Sequence, residues 1–321
     1  MTWHEERERL LNSRISELGL RIEGTELEPL VEQLYRELDA CGITFKPPVY
    51  LTDEWGCPEG IPVIGVPFYL ADPQLSAIEN ELADNLESGD ESMMYLRHEA
   101  GHAFNYAYRL YEREEWHRLF GPYSRPYVET YKPNPFAAEF VRHIAGWYAQ
   151  KHPDEDFAET FAVWLDPRSA WREAYAGTPA LQKLEYVDAV ARELGAEPPL
   201  VKPRKRDMPV EEMTHTVAQH YERTAATPPR IQLPNWFDGD LRRIFAATGE
   251  EPAAAMLRAK RRLIVGEVAY WTGVQPHVVR AFADHLIKRV DALGLCTRED
   301  SLIAFIAMLT TLATNTLRPD A

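Results

Sequence analysis

The chain has 321 residues, 45% of them hydrophobic, enough to bury one large core or two smaller ones. Its formal charge of -15 denies nucleic acid and anionic membranes the positive footprint that each needs, so neither is expected as a partner. Three cysteines at wide spacings, Cys41, Cys57 and Cys296, form no disulfide or zinc-ribbon framework. No apolar stretch marks the N-terminus as a signal peptide, and a cytoplasmic location is expected.

Residues 5–20 and 26–40 have helical spacing, and Gly42 stops the second run. Residues 48–51 and 61–70 read as strands, with a turn over 55–60 between them. Pro62 and Pro67 make the second an edge strand, to which an extended peptide could add by main-chain hydrogen bonds. Ser88-Gly89-Asp90 offers a cap for a long helix over 91–120. Residues 121–135, rich in proline and tyrosine, read as a loop, and 136–150 as a helix. Pro153 opens a further helix and Pro167 closes it, and 171–195 is helical again. A proline-rich basic stretch with Lys202, Arg204, Lys205 and Arg206 reads as a linker. From 210 to 317 only helical patterns follow, and the most apolar stretch, 302–317, is too short to span a membrane. There Trp236, Phe237, Leu241, Ile244 and Phe245 form one expected core group, and Ile264, Val268, Tyr270 and Trp271 another. His277 and His285 are then incidental.

His98-Glu99-Ala100-Gly101-His102 is an H-E-x-x-H motif. On a helix, residues four apart lie about 40° from each other, so both imidazoles can reach one zinc ion. Glu99 then sits beside the metal, where it can take a proton from water. Met93, Leu96, Ala100, Ala103, Phe104 and Ala107 fall on the opposite face, giving a helix with its back in the core. A catalytic zinc needs a third protein ligand. His117, His143 and His152 are candidates, as are Asp154, Glu155, Asp156 and Glu159. Glu155 and Glu159 share one helical face, with Phe157, Phe161 and Trp164 behind them, so the acidic helix is preferred. Asp154 and Asp156 read as a solvated helix start. A metzincin pattern fails, because residues 105–109 supply neither the glycine nor the third histidine it requires.

The motif followed by Pro153-Asp154-Glu155-Asp156-Phe157-Ala158-Glu159-Thr160-Phe161-Ala162 resembles a bacterial family of zinc-binding metallopeptidases. That family is distantly similar to the anthrax lethal factor catalytic domain. Asp53-Glu54-Trp55-Gly56-Cys57-Pro58, Ile64-Gly65-Val66-Pro67-Phe68-Tyr69-Leu70-Ala71-Asp72 and Tyr148-Ala149-Gln150 resemble it as well. The resemblance implies a gluzincin-type enzyme in which His98, His102 and Glu155 bind zinc and Glu159 supports a ligand histidine. It also implies that Tyr148 stabilises the transition state. Tyr123, Tyr127 and Tyr131 compete for that role.

The expectation is an α+β fold. A zincin-like metallopeptidase domain with a small sheet and an active-site helix covers 1–196, a linker 197–209, and an all-helical C-terminal domain 210–321. Zinc is the expected cofactor and a peptide or protein the expected substrate, held extended along the strand near 64–70. Two other readings are a zinc hydrolase acting on a non-peptide amide, and a non-catalytic, zinc-stabilised interaction module. Glu99 argues against the second, since a structural site needs no general base.

Overall fold

The computed structural model describes residues 2–82, 86–128, 131, 133–203, 206–224 and 237–316. It divides into two compact units, Met1–Thr224 and Ala225–Ala321. The described residues are mostly helical, with one two-stranded sheet in the first unit.

The first unit begins with α1 (Trp3–Asn12) and α2 (Leu27–Ala40), then β1 (Val49–Thr52) and β2 (Ile64–Pro67). The strands pair in parallel, with Val49 opposite Ile64 and Thr52 opposite Pro67. Residues 53–63 therefore form a crossover rather than a hairpin turn. On the other side of β2, Gly65 N donates to Gly56 O at 2.7 Å and Gly56 N to Gly65 O at 3.3 Å. After α3 (Pro73–Leu82) comes α4 (Gly89–Tyr108). Its start is the expected cap: Ser88 Oγ accepts from Glu91 N, and the Glu91 carboxylate accepts from Ser88 N at 2.7 Å. The helix does not run to residue 120. Arg109 turns into the left-handed region, and a separate α5 (Glu114–Phe120) follows.

The helix expected over 136–150 does not form. Only Tyr148–Gln150 makes a single 3-10 turn. Gly146 and Trp147 both have positive φ, and Ile144 N donates to the Glu159 carboxylate instead of to a helical carbonyl. Then come α6 (Pro153–Leu165), α7 (Trp171–Ala174), α8 (Ala180–Leu194) and α9 (Val217–Thr224). Pro153 occupies the first turn of α6, where no backbone donor is lost.

The boundary between units differs from the expected linker. Val201 N donates to Ala107 O, and Thr52 Oγ1 to Met208 O. Val210, Met213 and Val217 are buried in the first core. Apolar side chains at those three positions bring 210–224 into the first unit. Arg204 and Lys205 lie outside the described residues.

Among the described residues the named elements of the second unit are all helices: α10 (Phe237–Ile244), α11 (Ala253–Ala259), α12 (Arg261–Thr272), α13 (Pro276–Ala292) and α14 (Ser301–Thr316). Leu241, Ile244, Phe245, Ile264 and Val268 share a single core there. Tyr270 and Trp271 do not join it. They are exposed, because the α12 residues that face the core are Ile264, Val265, Val268 and Ala269. Trp236 lies outside the described residues. Among the described residues no helix is long and apolar enough to cross a membrane.

The α4–α6 crossing positions the H-E-x-x-H motif against the acidic start of α6. Aromatic residues on the backs of both helices, Phe104 and Phe161 among them, stack with ring centroids 5.3 Å apart. Gly101 faces Ala158 so closely that a Cβ on it would lie 2.8 Å from Ala158 Cα. Arg97 of α4 ties the assembly to its surroundings, bonding Glu37 of α2 at 2.7 Å and Asp166 just beyond α6 at 3.2 Å.

Candidate metal centre

Helical spacing places His98 and His102 one turn apart on α4, and the crossing brings Glu155, in the first turn of α6, against both. His98 Nε2 lies 3.0 Å from Glu155 Oε2, His102 Nε2 lies 3.2 Å from the same oxygen, and the two Nε2 atoms are 3.1 Å apart. All three side chains are buried. Ligands about 2.0–2.1 Å from a tetrahedral metal lie about 3.3 Å from one another, so this triangle has the size of one face of a zinc coordination shell. The donor set of two imidazoles and a carboxylate also suits that ion.

The other atoms of these three side chains are held as well. His98 Nδ1–H donates to Glu159 Oε1 at 2.9 Å, and Glu159 Oε2 accepts from Ile144 N at 2.8 Å. Glu159 is wholly buried, and both its oxygens are thus engaged. Tyr127 OH donates to Glu155 Oε1 at 2.7 Å. Tyr148 OH stands 3.5 Å from that oxygen, with its ring 5.6 Å from the His98 ring. Tyr123 OH donates to Glu59, and Tyr131 OH to Gly146 O.

Burial disfavours a charged imidazole, but hydrogen bonds to Glu155 and Glu159 outweigh it and raise His98 to about 9. Burial likewise works against the Glu155 carboxylate, yet His102 and His98 hold it well below the usual range. Glu99 is buried beside this pair. Burial raises its carboxyl against the pull of the two histidines, the direction a proton acceptor for neutral chemistry requires.

The remaining candidate ligands are occupied elsewhere. His117 and His143 face the backbone oxygens of Gly121 and Met94. His152 caps α6, accepting from Asp154 N at 3.1 Å while its Nε2–H donates to Arg125 O at 2.7 Å. The expected solvated helix start is not seen. Asp156 is buried and bonded to Lys183 at 2.6 Å. Asp154 is buried too, accepting from Asn105 Nδ2 at 2.7 Å and from Tyr106 OH. Asn105 and Tyr106 follow His102 by three and four residues. Helical spacing alone could therefore have marked them as neighbours of the site, whereas an acidic first turn looks the same buried or solvated.

The triangle opens onto a cleft of about 870 Å³. Its lining includes Glu99, Tyr106, Tyr123, Tyr127, Tyr148 and Lys151, faced by Glu54, Trp55, Gly56, Cys57 and Glu59. Residues 64–70 do not line it. All of β2 is buried and Gly56 pairs with Gly65, so the expected substrate strand is screened by the 54–59 segment. Trp55 is anchored there by its indole N–H on Glu87, at 2.9 Å, and by stacking on Tyr95 of α4. Cys57, its thiol pushed up by burial, donates to Ile61 O and is a neutral part of the wall.

Residues 87–220 match the model of the family described as Putative zinc-binding metallo-peptidase. No curated protein and no solved structure matches the chain.

Proposed function

From the match of residues 87–220 to the model of this family of zinc-binding metallopeptidases, we propose that the chain is a gluzincin-type peptidase with a zincin-like catalytic unit. His98, His102 and Glu155 are its zinc ligands. The observation that carries this reading is the convergence of their three buried donor atoms beside Glu99 in an open cleft.

Zinc bound there supplies a Lewis acid that polarises a carbonyl and lowers the pKa of water. Glu99 accepts the proton of the attacking water and delivers it to the leaving amine. Its raised carboxyl suits both steps. Glu159 holds the His98 ring through Nδ1, leaving Nε2 for the metal. Tyr148 donates a hydrogen bond to the oxyanion that develops on the scissile carbonyl. Burial and the nearby Glu155 charge keep its phenol protonated. Tyr127 serves Glu155 instead, since its hydroxyl already lies on that carboxylate. A peptide or protein is the substrate, passing along the 54–59 wall. A site that only stabilised the fold would give Glu99 no task, and this favours the enzymatic reading.

The test is elemental analysis of the purified chain together with hydrolysis of a peptide library by wild type and Glu99→Gln. About one zinc per chain is expected in both, with hydrolysis in wild type alone. A chain that takes up no zinc, or a variant as active as wild type, overturns the assignment.

A further inference from the structure

His102 differs from His98 in what holds its second nitrogen. Its Nδ1 is buried and has no partner at hydrogen-bonding angles. Asp154 Oδ2 nevertheless lies 3.0 Å away, an ion-pair distance off the ideal direction. A buried N–H without an acceptor is costly, and Nδ1 itself is inaccessible although both side chains border the cleft.

Asp154 is unusually constrained for a residue in the first turn of a helix. Asn105 Nδ2 donates to Oδ1, and Tyr106 OH to Oδ2. Both donors come from the turn of α4 that follows His102, and the Tyr106 ring stacks on the imidazole with centroids 6.0 Å apart. The carboxylate is therefore fixed to the helix that carries the histidine and is not free to swing onto a metal. Tyr106 continues the line toward the cleft, where Tyr123 OH donates to Glu59 at 3.2 Å.

We propose that Asp154 is the positioning residue for His102, its carboxylate accepting the Nδ1–H and so presenting Nε2 to the metal. It does for His102 what Glu159 does for His98, and each histidine has its own carboxylate from α6. Such partners fix the tautomer and the ring orientation, and their loss weakens metal binding about 10- to 100-fold. The inference rests on His102 being a zinc ligand.

The experiment measures zinc affinity of the full chain, by competition with a chelator, for wild type, Asp154→Asn and Tyr106→Phe. Asp154→Asn keeps the shape and one acceptor but loses the charge, and is expected to bind zinc about 10- to 100-fold more weakly. Tyr106→Phe removes one support of the carboxylate and leaves it beside His102, so its effect should be much smaller. Equal losses in the two variants would mean that Asp154 only ties α6 to α4, and would overturn the proposal. Should Asp154→Asn fail to fold, histidine ¹⁵N spectra of zinc-loaded wild type decide. Nδ1 of His102 should carry a proton protected from exchange, and a proton on Nε2 or rapid exchange overturns the inference. Wild type that binds no zinc overturns this and the peptidase reading together. Wild type that binds zinc no more tightly than Asp154→Asn overturns this inference alone.

Discussion

Gly101 lies inside the H-E-x-x-H motif, and substituting it sets local preference against packing. In an isolated helix Gly101→Ala should stabilise by about 1 kcal/mol. Here the new Cβ would lie 2.8 Å from Ala158 Cα, 2.9 Å from Ala158 O and 3.0 Å from Phe161 Cβ. Two of those atoms are backbone and cannot rotate away. Moving from 2.8 Å to the 3.4 Å of ordinary contact opens the α4–α6 crossing by about 0.6 Å. Overpacking of this kind costs about 1–3 kcal/mol, toward the upper end here, so a net loss of about 1–2 kcal/mol remains after the helical gain. For a unit of this size that lowers the melting temperature by about 2–8 °C. The site should suffer as well, because α4 carries His98 and His102 while α6 carries Glu155. An opening of about 0.6 Å exceeds the tolerance of about 0.2 Å on metal–ligand distances, so zinc affinity should fall on the order of tenfold or more. Calorimetry of the metal-free variant and chelator competition read the two effects separately. A variant that melts above wild type and binds zinc equally well would refute the reasoning.

Glu155→Ala should yield a largely zinc-free chain, whereas Glu159→Ala should bind zinc about 10- to 100-fold more weakly without losing it. The reverse order in a chelator competition means that the two roles must be exchanged. In the metal-free protein His98 is raised to about 9, above an unfolded value of about 6.5. Its contribution to stability is complete below about 6.5 and is lost as pH rises through about 9. Melting temperatures in chelator should fall across that window more steeply in wild type than in His98→Ala, where His102, also raised against its burial by Asp154 and Glu155, still contributes, and parallel curves would contradict the assignment. Lys183→Met leaves the buried Asp156 carboxyl alone and should cost about 3–5 kcal/mol in denaturant unfolding at alkaline pH, where that group is charged. The loss should shrink in acid, since burial, against the pull of Lys183, raises Asp156 to about 7 and so lets it take up a proton. A loss below about 1 kcal/mol would show that the pair is not needed.

What could be read from the sequence is what depends on neighbours along the chain. The pairing of His98 with His102 follows from helical geometry, as does the place of Glu99 between them. The start of α4 at Ser88 and the limits of α6 between Pro153 and Pro167 follow from capping and from proline's missing donor. Glu155 and Glu159 were visible as one acidic face, but periodicity gives both the same direction. Only the α4–α6 crossing brings Glu155 Oε2 to both Nε2 atoms and Glu159 to Nδ1 of His98. The segment 136–150 has helical periodicity yet stays irregular, because Glu159, distant in sequence from Ile144, takes its backbone donor. Residues 210–224 joined the first unit for a related reason, since Val210, Met213 and Val217 find their apolar partners there. Asp154 shows the limit best. An acidic residue at a helix start gains from the helix dipole whether water or a histidine lies opposite, so its local signal is the same in both cases. What distinguishes them is the approach of a second helix, which removes the water and leaves Asn105, Tyr106 and His102 around the carboxylate.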